Sequence, residues 1–228
     1  MNVNWGVMIP ILTKAVGETF QMIGIALVFT IVFGLLVGVL LVSTDEGGVN
    51  EAPFGSRRLG AIIHAVLGFI VNIGRSLPFI ILMVVLIPFT RLIIGTFIGP
   101  TAAAVPLTIA AIPFFARLVE IALREVDTGL VEAARSMGAK RGTIIWKVLL
   151  AEARPSIVLA LSTSVISLLN YSAIAGTIGA GGIGDIAIRY GYQRYDNSYL
   201  FTTIIILIVI VQVVQLVASA VARKLSHR

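Results

Sequence analysis

Long apolar runs alternate with short polar breaks along this chain, on a scale set by a membrane rather than by a protein core. Residues 19 to 44, 92 to 116, 155 to 184 and 197 to 222 contain no Asp, Glu, Lys or Arg. Each run exceeds the roughly 20 residues that carry a helix across a hydrocarbon core. A fifth apolar region, Leu59 to Thr90, is interrupted only by His64 and Arg75, and it holds either one long tilted span or an interfacial turn followed by a span. The pattern predicts an all-α integral membrane protein, one domain over 1–228 with helices at about 19–43, 61–90, 92–117, 155–178 and 198–221. Residues 1 to 18, with Trp5, Pro10 and Ile11, read as a short interfacial lead-in. No basic region precedes the first apolar stretch, so that span is expected to be retained and not cleaved as a signal peptide.

Composition narrows the class further. With 58% hydrophobic residues, 12% charged residues and a mean hydropathy of +1.03, the 228-residue chain lies outside the range of soluble domains. Lys and Arg are retained on the cytoplasmic side of a membrane. An outside N-terminus places twelve of them there: Arg57, Arg58, Arg117, Arg124, Arg135, Lys140, Arg141, Lys147, Arg154, Arg223, Lys224 and Arg228. Lys14, Arg91, Arg189 and Arg194 then lie outside, with Arg75 in or near the membrane. The expected topology is N-out, C-in. The net charge of +6 sits where this orientation puts it, so no nucleic-acid partner is expected. Without cysteine there are no disulfides or thiolate metal sites, and two distant histidines make no metal centre.

One polar island stands out. Between Glu120 and Arg154 lie eleven charged residues, the only substantial soluble segment, and it joins the third and fourth spans on the cytoplasmic side. Asp127 or Thr128 can cap a helix there, Glu132 then falls in its first turn, and Gly138 is placed to end it in the left-handed conformation. A second helix is expected from about Thr143, leading through Trp146 into the fourth span. Ala133 and Ala134 offer a narrow face, Gly138 a sharp turn, and the surroundings are basic. A plain connector needs none of these together, so the segment is expected to dock a partner.

Glu132-Ala133-Ala134, three residues and then Gly138 resemble the cytoplasmic signature of permease subunits of ATP-binding-cassette importers. The family's Ile-x-Leu-Pro tail reads Val148-Leu149-Leu150-Ala151 here, a mild departure in the second helix. Asn72 to Phe79, Ile87 to Arg91 and Gly179 to Gly184 extend the resemblance over nearly the whole chain, toward permeases of D- and L-methionine importers in particular.

The resemblance implies a type I importer permease fold in the inner membrane of a bacterium, with a cytoplasmic coupling helix. Glu132, Ala133, Ala134, Arg135, Met137, Gly138 and Ala139 would carry contact with the ATPase. It implies two ATPase subunits and an extracytoplasmic substrate-binding protein as partners, besides membrane lipid. No cofactor is expected on this chain, since ATP and magnesium belong to the ATPase and no phosphate-cradling Gly-x-x-x-x-Gly-Lys loop occurs. The substrate implied is methionine; another amino acid or a small peptide is the alternative.

Five spans do not easily enclose a pathway, so a second copy about a two-fold axis is expected, with the route between the copies. Asn72, Arg75, Ser167, Asn170, Tyr171 and Ser172 are the candidates for its wall. Arg75 reads either as the cytoplasmic start of a span or as a pathway residue, and Asn170 either as an interhelical bond or as a pathway wall. Tyr190, Tyr192, Tyr195 and Tyr199 form an aromatic belt or a surface for the binding protein. His64 reads as a packed or interfacial residue, and Gly34 and Gly38 as a close helix contact. Gly179, Gly181 and Gly184 fit a dinucleotide fingerprint by spacing but not by setting, and read as close helix packing or as irregular backbone buried in protein. The loop from Ser43 to Arg58 reads as a flexible connector. An enzyme is not expected, because the spans hold almost no ionisable groups. A passive channel or a structural membrane subunit is the non-transport alternative, though no selectivity ring is evident.

Overall fold

The computed structural model describes residues 5–226. Arg228, counted above among the basic residues, and Met1 to Asn4 of the lead-in lie outside the described residues. Every regular element among them is helical: α1 (Trp5–Thr44), α2 (Arg57–Ser76), α3 (Phe79–Val85), α4 (Ile87–Ile94), α5 (Pro100–Arg124), α6 (Thr128–Ser136), α7 (Arg141–Thr143), α8 (Leu150–Glu152), α9 (Arg154–Ala175), α10 (Gly182–Ile186) and α11 (Asn197–Leu225). Wider π-type turns occupy Ile144–Leu149, Gly176–Ala180 and Ala187–Tyr192. Among the described residues five helices are long and apolar enough to cross a membrane: α1, α2, α5, α9 with its extension to Ala180, and α11.

The helices depart from the charge-free runs where charges pair or proline intervenes. α1 starts at Trp5 and not near residue 19, and Lys14 and Glu18 lie inside it 3.8 Å apart at i,i+4. The lead-in is therefore the first turns of a 40-residue helix. The second region breaks at Leu77-Pro78, as a residue before proline is pushed out of the helical region, and continues as the short α3 and α4. α5 begins at Pro100 instead of residue 92, after a turn in which Gly95 and Gly99 have φ of +83° and +95°. It runs on to Arg124 because Arg117 and Arg124 both pair with Glu120 on one face.

Two compact units divide the chain. One comprises the start of α1 to Phe29, Leu77–Ala111 and Val165–Leu216. Its core joins Met22 and Ala26 of α1, Phe79 and Met83 of α3, Leu107 of α5 and Leu168 of α9. Tyr171 stacks on Phe79 with centroids 4.7 Å apart, and Met8, Leu12, Ile183 and Ile186 form a second cluster.

The other unit comprises Thr30–Ser76, Ile112–Ser164 and the chain from Val217. Phe115, Val119 and Leu123 of α5 are its centre, packed with Val49, Ala134, Ile144, Leu149 and Ala160. A Cβ on Gly34 would lie 2.8 Å from the Phe115 ring, and one on Gly38 2.7 Å from Val119. The two glycines thus let α1 approach α5 within the chain, as expected. Buried positions make up 61% of the most apolar stretch of α5 and 6% of that of α11. α5 is enclosed by protein, whereas α11 leaves its apolar surface to lipid or another chain.

Candidate coupling surface

The polar island folds as a capped helix with a defined stop. Asp127 caps α6 by accepting a hydrogen bond from the Gly129 amide at 2.7 Å. Glu132 lies one residue beyond the first turn, not within it as expected, and is exposed. At the other end Gly138 takes φ +76°. Its amide donates to the Arg135 carbonyl at 2.9 Å, and the Ala139 amide donates to the Ala134 carbonyl at 3.0 Å. This pair of bonds is a Schellman closure, which places a left-handed residue just after the helix and favours glycine there.

The two alanines face opposite ways. Ala134 is buried against Ile144, Leu149 and Leu150, whereas Ala133 is exposed together with Glu132, Leu130 and Met137, the last of these 80% exposed. Ala134 and the half-buried Ala139 seat the helix on its own unit. The outer face is then Leu130, Glu132, Ala133 and Met137. Trp146, 63% exposed on the turn that follows α7, adds an aromatic surface.

Arg135 points away from that outer face. Its guanidinium donates to the carbonyls of Gly47 and Gly48 at 3.2 and 3.1 Å. Arg141 donates to Asn50 Oδ1 at 2.9 Å and to the Ala52 carbonyl at 3.0 Å. The α1–α2 loop, expected to be a flexible connector, is therefore fastened: its glycine turn presents carbonyls that the basic segment satisfies. Val49 fixes it further by entering the core.

Charges that sequence patterning did not single out complete the surface. Glu120 is 2% exposed and accepts from Arg117 at 2.7 Å and from Arg124 at 3.0 Å. Arg124 also pairs with Asp45 at 2.7 Å. Burial pushes the Asp45 carboxyl up, but the bonds it accepts from Arg124 and the Glu46 amide outweigh that and hold it below the usual carboxylate range. His64 donates from Nδ1 to the Leu41 carbonyl at 2.9 Å and lies 3.7 Å from Asp45, a packed residue as read. The i,i+3 and i,i+4 spacing of Arg117, Glu120 and Arg124 was the available signal; Asp45 comes from a distant loop and had none.

The candidate pathway residues have unlike surroundings. Asn72 and Arg75, on α2, are exposed in one unit. In the other, Asn170 is exposed, Ser167 is half-buried and Tyr171 is held by its stack on Phe79. Ser172 is buried and donates to the Leu169 carbonyl within its own helix. Among the tyrosines, Tyr190 and Tyr199 pack together at 4.9 Å under Arg194, while Tyr192 and Tyr195 are exposed.

The glycine run after α9 is a backbone crossing. Glu18 accepts from the Gly182 amide at 2.8 Å and Thr19 from the Ile183 amide at 2.9 Å. A Cβ on Gly184 would fall 2.4 Å from Ala173 Cα. These glycines pack chain on chain. No group of three or more His, Cys, Asp or Glu among the described residues could hold a metal ion.

Five apolar helices and a capped cytoplasmic element between the third and fourth define a membrane transport subunit addressed from outside itself. The chain belongs to the family of inner membrane components of binding-protein-dependent transport systems, matched over residues 52–227. A probable D-methionine transport system permease protein, MetI, of Vibrio cholerae is 50% identical over 218 residues, covering 96% of this chain and 93% of that protein. The methionine import system permease protein MetP of Bacillus subtilis is 42% identical over 174 residues, covering 76% and 78%. A solved structure of inward-facing MetNI methionine ABC transporter superposes with TM-score 0.90 at 43% identity, covering 97% of this chain and 99% of that one. An amino acid ABC transporter with histidines, at 22% identity and TM-score 0.70, shares the fold. The fold is that of a type I ABC importer permease, as expected.

Proposed function

We propose that this chain is the permease of an importer that carries methionine inward, powered by ATP that separate ATPase subunits hydrolyse. The observation that carries this reading is α6: a helix stopped at both ends, anchored by Ala134, with Glu132, Ala133 and Met137 turned outward. A rigid, seated helix transmits displacement, whereas a loose loop absorbs it. Relatives named for D-methionine or methionine transport support the substrate.

Two copies would form the route between them, with the exposed Asn72, Arg75 and Asn170 on its wall and the half-buried Ser167 beside it. Tyr171 and Ser172 act by fixing α9, through the stack on Phe79 and the bond to Leu169. ATP and magnesium sit in the ATPase, and a binding protein delivers substrate at the outer face near Tyr192 and Tyr195. Closure of the ATPase pair draws the α6 helices together, and the spans they are attached to switch access from one side to the other.

Proteoliposomes holding permease, ATPase and binding protein should accumulate labelled methionine with ATP inside, and unlabelled methionine should compete better than other amino acids. Uptake of another amino acid in its place would overturn the substrate. Glu132→Lys should release the ATPase while the spans still insert; normal association and uptake in that variant would overturn the coupling role.

A further inference from the structure

The polar island is covalently joined only to α5 and α9, yet its arginines reach the loop that connects α1 to α2. Three of them, from three different places, converge on eight residues of that loop. Arg124 at the end of α5 pairs with Asp45 at 2.7 Å, Arg135 of α6 donates to the Gly47 and Gly48 carbonyls, and Arg141 at the start of α7 donates to Asn50 and Ala52.

The loop is shaped to receive them. Gly47 has φ +74°, and a Cβ on Gly48 would lie 2.5 Å from the Ser43 carbonyl oxygen. The Gly48 amide donates to Asp45 and the Asn50 amide to Ser43, and the carbonyls of Gly47 and Gly48 face the guanidinium, the Gly48 carbonyl shared with the Glu51 amide at 3.4 Å. Val49 plugs into the cluster that holds Ala134 and Ile144. A planar guanidinium with several fixed donors suits two neighbouring carbonyls better than an ammonium does. The attachment continues into α2, because a Cβ on Gly60 would meet the Glu51 carbonyl oxygen at 2.1 Å.

We infer that this arginine strap makes α1 and α2 driven parts of the transport cycle. Displacement of α6 pulls the α1–α2 loop directly, in addition to what passes along α5 and α9. Arg135 and Arg141 are positioning residues: they hold the loop to the coupling segment and touch no substrate. The inference rests on the coupling role proposed for α6.

The test uses the assembled transporter in proteoliposomes. Asp45→Asn with Arg141→Gln removes two of the three fastenings. ATPase subunits should still co-purify and hydrolyse ATP, while methionine taken up per ATP falls about tenfold, the scale of one charge-assisted hydrogen bond. Asn50→Cys with Arg141→Cys, made in the Asp45→Asn background, should transport as poorly until a short bis-maleimide bridges the two thiols, and then recover. The chain has no cysteine of its own to compete for the reagent.

Uptake at the unmodified rate in the first variant overturns the strap, as does loss of the ATPase from it or failure of the bridge to restore transport. Glu132→Lys run in parallel separates the two readings. If it keeps the ATPase and transports normally, the coupling role fails and the strap with it. If it releases the ATPase while the strap variants transport normally, only the strap falls.

Discussion

In the unit that contains α3, α4 and α10, the tightest contacts lie between backbones. Gly176 and Gly184 admit Asp185 and Ala173 so closely that a Cβ on either would fall 2.4 Å from main-chain atoms. In the unit that contains α2 and α6 to α8 backbones also meet closely, a Cβ on Gly60 falling 2.1 Å from the Glu51 carbonyl oxygen, but the polar segment is held by guanidinium groups on carboxylate or carbonyl: Arg117 and Arg124 on Glu120, Arg124 on Asp45, Arg135 and Arg141 on the loop. A backbone crossing has no side chain that can let go, and it gives either a single geometry or a clash. Partly exposed charge pairs are individually weak and exchange with water at modest cost, so several must act together to hold the loop to the helix that moves it.

The comparison implies an order of sensitivities. Gly184→Val should be the most damaging, at about 3 kcal/mol, because the added carbons meet main chain that has no rotamer to yield. Thermal melting of the detergent-solubilised chain measures it, and a melting temperature equal to that of the unmodified chain would show that the crossing is not rigid. Glu120→Gln should cost about 2 kcal/mol by leaving two guanidinium groups without their buried carboxylate, less than for a fully buried pair since both arginines are half-exposed and regain water. The same melt, repeated with Arg124→Gln, should show the two losses failing to add.

Gly138→Val should cost about 1 kcal/mol, since no atom lies within 4 Å of the added carbon and only the left-handed backbone is penalised. Gly138→Asn should recover much of it, and equal melts for Val and Asn would mean that the Schellman closure is not the constraint. The smallest effect is that of pH on the Asp45–Arg124 pair. Because the folded carboxyl is held below its ordinary value, the pair adds stability above the ordinary Asp range near about 4 and loses it as pH falls through the lowered value. With both side chains partly exposed, about 0.5 kcal/mol is expected. The melting difference between unmodified chain and Asp45→Asn should shrink between pH 6 and about 3; an unchanged difference would remove Asp45 from the account.

How much was legible depended on how far apart the interacting residues are. Gly138 and Asp127 were readable because a helix stop and a cap are decided within five residues. The contact of Gly34 and Gly38 with another helix was readable as a small-residue face, though not its partner Phe115 and Val119. The start of α1 and the end of α5 were missed for a shared reason. Scanning for charge-free runs stops at Lys14 and Glu18 or at Arg117, whereas i,i+3 and i,i+4 pairing lets the helix run through them. The opposite facings of Ala133 and Ala134 and the fastening of the Ser43–Arg58 loop were invisible, because both depend on surfaces brought from elsewhere in the chain.

By itself the sequence determined that this chain crosses a membrane five times, which end of each span carries the positive charge, and where a capped polar helix interrupts the spans. Those features follow from transfer free energies and local backbone chemistry, which act over about 20 residues or fewer. Only the tertiary structure decided which face of α6 is free, that Glu120 is buried among arginines, and that Arg135 and Arg141 grip a loop some 90 positions earlier. Contacts at that separation depend on how the helices pack against one another, and local propensity carries no information about it.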